Sequence, residues 1–214
     1  MDSINPQDLL FKIPFGMIIS GPSNSGKTQF LLKLLDNADK MFNPSPASIL
    51  YCYGEYHEYI PKLEAKGITI HSGVPSDDLI RSLSKPLLVC LDDVVYQIQE
   101  KTLTEMFTKK AHHQNYGVIL LTQHLFEKNL RVARNNSQYI VLMRAPNAVL
   151  QIRNLGSQLF AKQLSFFLDA YEQAVSKNYG YLLLDLHPAS DKLLKLRTNI
   201  FPGEHTCIFT PKNA

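Results

Sequence analysis

The chain has 214 residues, room for one domain with small additions, and carries a net charge of +3. Hydrophobic residues make up 45% and charged residues 19%, which excludes general disorder. The mild positive charge points only slightly to an anionic partner, and a dedicated nucleic-acid-binding domain is often more basic.

From the N-terminus, residues 1–13 form an arm ahead of the first apolar run. Met1–Phe15 lacks the apolar core of a secretion signal, and no run of about 18 apolar residues exists to span a membrane. Apolar runs at Gly16–Ser20, Ser48–Tyr53, Ile68–His71, Leu87–Leu91, Val118–Thr122, Tyr139–Met143 and Tyr181–Leu186 are predicted strands. Several are apolar on both faces, as strands of a parallel sheet covered on both sides are. Helices are predicted over Gln29–Leu35, Lys101–Gln114 and Asn147–Val175, and Asn43-Pro-Ser-Pro46 reads as a loop. The three cysteines, Cys52, Cys90 and Cys207, are odd in number and far apart, which reads as reduced thiols inside a cell. Residues 203–214 form a polar tail, loose or reaching a neighbour. The repeated strand–helix order, with no internal boundary, predicts a single α/β domain over 1–214 with a mainly parallel sheet.

Gly21-Pro22-Ser23-Asn24-Ser25-Gly26-Lys27-Thr28 matches the phosphate-loop pattern G-x4-G-K-[ST] in full. A chance match in a chain this long is on the order of one in a hundred. The strand Met17-Ile-Ile-Ser20 enters the loop, and a helix-forming run beginning with Gln29 leaves it. Glycines let backbone N–H groups point at phosphates, and the helix N-terminus adds its positive dipole end. Lys27 would reach the β- and γ-phosphates, and Thr28 would hold Mg²⁺, so Gly21 to Gln29 is the expected Mg-ATP cradle. The bland alternative is an ordinary glycine turn before a helix.

A carboxylate on a neighbouring strand would complete the metal site, and Leu87-Leu-Val-Cys-Leu-Asp-Asp93 supplies a pair. Asp92 is the expected metal partner. Asp93 would face a water in line with the γ-phosphate, as general base or water orienter. The alternative is that these acids cap the next helix. Gln123, after Thr122, would emerge beside the pair and could sense the γ-phosphate; a solvated strand end is the plainer reading.

These stretches together resemble the FtsK–HerA superfamily of DNA-pumping ATPases, and within it the viral genome-packaging ATPases of Polinton/Maverick elements, virophages and adintoviruses. The resemblance rests on Pro14-Phe-Gly-Met-Ile-Ile-Ser-Gly-Pro-Ser-Asn-Ser-Gly-Lys-Thr28 and on His112-His113 ahead of Val118-Ile-Leu-Leu-Thr-Gln-His-Leu-Phe126. It continues through Asn136-Ser-Gln-Tyr-Ile-Val-Leu142, Tyr179-Gly-Tyr-Leu-Leu-Leu-Asp-Leu-His187 and Leu196-Arg-Thr-Asn-Ile-Phe-Pro-Gly203, covering about Ile13 to Glu204. It implies a RecA-like core, a homomeric ring with ATP between subunits, and double-stranded DNA threaded through the centre. The implied setting is the viral assembly site in the host cell, with capsid or portal-region proteins as partners. Such rings need an arginine from the next subunit. Members of the group tend to carry Pro-Arg where this chain has Pro146-Asn147, so the arginine is Arg144, Arg153 or one elsewhere in the chain.

Lys128, Arg131 and Arg134, at i, i+3 and i+6, would line one helical face and could touch DNA phosphates; a solvated face is the even alternative. Lys109, Lys110, His112 and His113 form a second basic cluster without metal-ligand spacing. Tyr51, Tyr53, Tyr56 and Tyr59 read first as packing around a strand end and second as a stacking surface. The leading function is an ATP-driven DNA translocase. The rivals are a small-molecule kinase, for which no Arg-rich lid is visible, a related helicase or conjugation-type pump, and a nucleotide switch, for which Asn-Lys-x-Asp is absent.

Overall fold

The computed structural model describes residues 5–211. A 3-10 turn at Pro6–Leu9 leads into β1 (Phe11–Lys12) and β2 (Phe15–Ser20), followed by α1 (Lys27–Asp36), α2 (Ala38–Met41) and β3 (Phe42–Asn43). The chain then alternates through β4 (Ser48–Tyr53), α3 (Ile60–Ala65), β5 (Thr69–Ser72), α4 (Asp77–Ser82) and β6 (Leu87–Asp92). A helical run of α5 (Glu100–Glu105), a π-helical turn at Met106–Lys110 and α6 (Ala111–His113) leads into β7 (Tyr116–Thr122). After a 3-10 turn at Lys128–Leu130 come α7 (Arg131–Asn135), β8 (Tyr139–Met143), α8 (Val149–Leu159) and α9 (Leu164–Ala174). Strands β9 (Tyr181–Asp185), β10 (Leu196–Thr198) and β11 (Cys207–Phe209) close the described chain.

The main sheet has the order β11-β10-β9-β8-β2-β7-β6-β4-β5. From β8 to β5 every pairing is parallel. Strands β9, β10 and β11 extend it antiparallel. Every residue of β2, β6, β7, β8 and β9 is buried, because helices cover both faces. That double cover is why these strands read as unbroken apolar runs. One face packs on α1, α2 and α3 through Phe30, Leu31, Leu34, Met41 and Leu63. The other packs on α4 to α9 through residues such as Ile80, Leu103, Ala133, Ile152 and Phe167.

Three expectations need correction. The predicted helix over Asn147–Val175 is two helices broken at Phe160, with no Gly or Pro at the break. Tertiary packing makes it: α8 folds back on α9, and the Phe160 ring stacks on Phe167 at 5.0 Å. The polar tail is not a loose end along its length, since Cys207–Phe209 adds the edge strand β11, pairing Leu196 with Phe209 and Thr198 with Cys207. The arm over 1–13 is likewise part of the body. Phe11 is fully buried and packs edge-on against Tyr139 at 4.8 Å, while Ile13 N donates to Asn43 O at 3.0 Å. Residues 1–4 and 212–214 of these segments lie outside the described residues.

Cys52 and Cys90 are buried, Cys207 is exposed, and none is in a disulfide. Burial pushes the Cys52 thiol up to about 12. Among the described residues no helix is long and apolar enough to cross a membrane.

Where the parallel strands begin, the sheet carries a buried ion pair. Arg197 Nη2 donates to Asp185 Oδ2 at 2.7 Å, and the two residues are each 1% exposed. Arg197 Nη1 donates to Leu9 O at 3.1 Å, and His187 N donates to Asp185 Oδ1 at 3.1 Å. This pair joins the two late stretches that carry much of the sequence resemblance.

Candidate active site

The six parallel strands end on one edge, where an α/β sheet places its ligands. There Ser20 of β2 aligns with Thr122 of β7 and Leu142 of β8, and Tyr53 of β4 with Asp92 of β6. Strand β7 lies between β2 and β6, so Gln123 stands just past the strand that separates the phosphate loop from the acidic pair.

The loop leaves β2 and returns into α1 through two left-handed residues, Asn24 at φ 61° and Gly26 at φ 94°. At Gly26, the residue before the first turn of α1, that conformation would strain any side chain, and glycine adopts it freely. Gly21 N donates to Thr122 O at 3.2 Å, which ties the loop to β7. Lys27 Nζ donates to the carbonyls of Gly21 at 2.8 Å and Pro22 at 2.9 Å. Burial lowers the Lys27 pKa, and the charges of Asp92 and Asp93 oppose the shift.

Across from the loop, Asp92 is 9% exposed. Its Oδ2 accepts from the Tyr51 hydroxyl at 2.5 Å and from Thr28 Oγ1 at 3.4 Å. His57 Nε2 lies 4.0 Å from the same oxygen and 3.0 Å from the Tyr51 hydroxyl. Burial raises the Asp92 carboxyl above the usual range, while the Tyr51 hydrogen bond and His57 pull it back. The Tyr51 phenol is pushed up, first by its own burial and then by Asp92.

Asp93 is exposed and left-handed at φ 56°. The loop after β4 closes against it. Gly54 N donates to Asp92 O at 2.9 Å, and a Cβ on Gly54 would stand 2.0 Å from Asp93 O. Only glycine allows that approach, and it carries Glu55, Tyr56 and His57 into the site. The resulting cleft holds about 300 Å³. Ser23, Asn24, Lys27 and Thr28 form one wall, Asp92, Asp93 and Gln123 another, and Glu55 to His57 the third.

The other expected residues are more scattered. Gln29 Nε2 donates to the Tyr59 hydroxyl at 2.8 Å, outside the cleft lining. Arg144 does not line the cleft either. It lies beside Pro22 to Ser25 of its own chain, around a second hollow, and its Nη1 donates to Asn178 Oδ1 at 2.9 Å. Arg153 is exposed on α8. Lys128 and Arg131 are exposed, but the change from 3-10 turn to helix breaks the single helical face that the spacing predicts. Arg134 is held by the protein itself: its Nη1 donates to Leu125 O at 2.9 Å, and its guanidinium stacks 4.2 Å over Phe126. Burial and then Arg131 lower its pKa.

Tyr51, His57 and Glu55 were not among the expected chemical residues. Tyr51 faces Cys90 in the β4–β6 register, so Asp92 is its diagonal neighbour on the same face. Nothing in the one-dimensional sequence gives that register.

The residues fit a magnesium-bound nucleoside triphosphate. The cradle has the left-handed turns that aim N–H groups inward. Ser25 Oγ is buried without a partner, and a hydroxyl and a carboxylate converge at the head of α1, an oxygen donor set suited to Mg²⁺.

No protein-family model matches the chain, and no curated protein matches it. Among solved structures, the genome-packaging NTPase B204 of Sulfolobus turreted icosahedral virus 2, in complex with ATP-gammaS, is similar at 15% identity. The match covers 98% of this chain and 100% of that one, with a TM-score of 0.54. The DNA-packaging ATPase B204 of Sulfolobus turreted icosahedral virus is similar at 14% identity over 93% of this chain and 98% of that one, also at 0.54. At these identities the likeness establishes the fold: an α/β, RecA-like P-loop NTPase core.

Proposed function

We propose that the chain is the ATP-hydrolysing subunit of a ring that drives double-stranded viral DNA into a capsid. The observation that carries the chemistry is Thr28 and Asp92 meeting at 3.4 Å at the head of α1, beside Lys27. Backbone N–H groups from Gly21 to Thr28 would cradle the phosphates. Thr28 and Asp92 would hold Mg²⁺, which would supply charge neutralisation at the phosphates. Lys27 would exchange the carbonyls of Gly21 and Pro22 for phosphate oxygens. Asp93, exposed on the cleft wall, would take a proton from the attacking water, with Gln123 orienting it.

Genome packaging is supported by the likeness to B204 along nearly the whole chain, and by the late sequence stretches, which resemble the Polinton/Maverick, virophage and adintovirus type. On this reading the protein works at the viral assembly site inside the host cell, against a capsid or portal-region protein. Lys128 and Arg131 would grip DNA phosphates, with Arg134 anchoring their segment. Arg153, exposed on α8, would serve a neighbouring subunit.

The test is ATP hydrolysis with and without double-stranded DNA, alongside the mass of the assembly. A multimer stimulated by DNA of any sequence is expected, with stimulation falling as salt rises. Hydrolysis indifferent to DNA, or phosphoryl transfer to a nucleoside, would sink the pump reading.

A further inference from the structure

A second hollow opens on the other flank of the phosphate loop and shares Ser23 and Asn24 with the cleft. It holds about 390 Å³ and is lined by loop residues Pro22 to Ser25 together with Arg144, Asn178 and Tyr179. Tyr179 is 67% exposed. Its φ of 59° puts a bulky residue in the left-handed region, a conformation that persists only where the surroundings impose it. The turn is pinned on both sides. Arg144 N donates to Gly180 O, and Gly180 N to Lys177 O, each at 3.0 Å. The ring packs at the loop itself, with its Cδ1 2.9 Å from where a Cβ on Gly26 would stand.

The polar groups beside the ring are also fixed. Arg144 Nη1 donates to Asn178 Oδ1 at 2.9 Å, which directs the amide NH₂ of Asn178 away from the arginine as a donor. An exposed aromatic face, an oriented amide and a guanidinium therefore stand beside a phosphate cradle. A nucleobase has the matching chemistry: a flat face that stacks on aromatics and an edge of hydrogen-bonding groups.

We infer that Tyr179, Asn178 and Arg144 form the subsite for the base of a nucleoside triphosphate whose phosphates lie in the loop of the same subunit. The inference rests on the nucleotide-binding reading above and adds to it where the base goes. Tyr179 stacks on the base, with purines favoured over pyrimidines by their larger face. Asn178 donates to an acceptor on the base edge, and Arg144 holds Asn178 in place. Arg144 is then a residue of its own subunit's nucleotide site and not the arginine offered to a neighbour.

The test compares ATP with inorganic tripolyphosphate, which has the phosphates and no base. Binding of each is measured by calorimetry on parent, Tyr179→Ala, Tyr179→Phe and Asn178→Ala. Tyr179→Ala should weaken ATP about tenfold or more, while Tyr179→Phe stays within about twofold of parent. Asn178→Ala should weaken ATP by a smaller factor, and tripolyphosphate should bind all four proteins alike. ATP and tripolyphosphate weakening in parallel would show that Tyr179 shapes the loop, and would overturn the inference. Unchanged ATP affinity in Tyr179→Ala, or a loss confined to assembly mass, would overturn it too while leaving the nucleotide reading intact. A folded parent that binds neither ligand would overturn the nucleotide reading, and this inference with it.

Discussion

Two aspartates end buried strands at opposite edges of one sheet, and the fold treats them in opposite ways. Asp185 is neutralised: Arg197 takes one oxygen at 2.7 Å and the His187 N–H takes the other at 3.1 Å. Asp92 has no lysine or arginine paired with it among the described residues. Its Oδ2 is oriented by a phenol and a hydroxyl, with His57 at 4.0 Å, and burial raises its carboxyl. A buried carboxylate matched to arginine commits its charge to the fold. One held mainly by hydroxyl donors keeps its charge for something that arrives. The same residue type, buried in both places, is a staple at one edge and, on the proposed reading, a metal ligand at the other.

The contrast breaks most visibly at the staple. Arg197→Leu leaves Asp185 as an uncompensated buried charge, and breaking such a pair costs about 3–5 kcal/mol. Denaturant unfolding checks it, and a loss below about 1 kcal/mol would mean that Asp185 needs no cation. At the other edge, Asp93→Asn should keep ATP binding and slow turnover by about 10²-fold or more, read in single-turnover hydrolysis. Parent-rate turnover would move the general base elsewhere in the cleft, with Glu55 the next carboxylate on its wall. Tyr51→Phe removes one donor from Asp92 without touching the loop. Magnesium dependence should weaken by about tenfold, as when a partner of a metal ligand is lost, with little change in stability. A large drop in stability at an unchanged magnesium midpoint would place Tyr51 with the staple.

The smallest effect concerns pH. Burial and then the charge of Lys12 lower the His187 pKa, with Asp185 opposing. Ala189 N donates to His187 Nδ1 at 3.1 Å, a contact that needs that nitrogen unprotonated. The folded pKa is below the unfolded value, so the histidine's contribution is present above about pH 6.5 and lost as pH falls through the folded pKa. His187→Gln should flatten this acid limb in unfolding experiments. A limb equally steep in the variant would assign it to other groups.

Much of this architecture was legible in the sequence, for identifiable reasons. Parallel strands covered on both faces must be apolar throughout, so Leu87 to Leu91 and Val118 to Leu121 announce themselves. The phosphate loop is equally local, since its function depends on consecutive backbone groups. What stayed hidden depends on register and tertiary contact. The insertion of β7 between β2 and β6 cannot be read from strand spacing, and neither can the diagonal that brings Tyr51 to Asp92. The break at Phe160 carries no Gly or Pro because ring stacking between α8 and α9 makes it. The even spacing of Lys128, Arg131 and Arg134 suggested one helical face, yet a 3-10 turn intervenes and Arg134 is taken up by Leu125 and Phe126.

The most direct test of Asp92 as a carboxylate kept for a cation is Asp92→Asn, followed by two readouts on one preparation. Magnesium titration of ATP hydrolysis reads the site, and unfolding without nucleotide reads the fold. Burial holds the parent carboxyl above its usual range, so neutralising it removes a desolvation cost. The account predicts a chain at least as stable as the parent that has lost its magnesium-dependent hydrolysis. A destabilised chain with the parent's magnesium dependence would contradict it, and would make Asp92 a second staple of the same kind as Asp185.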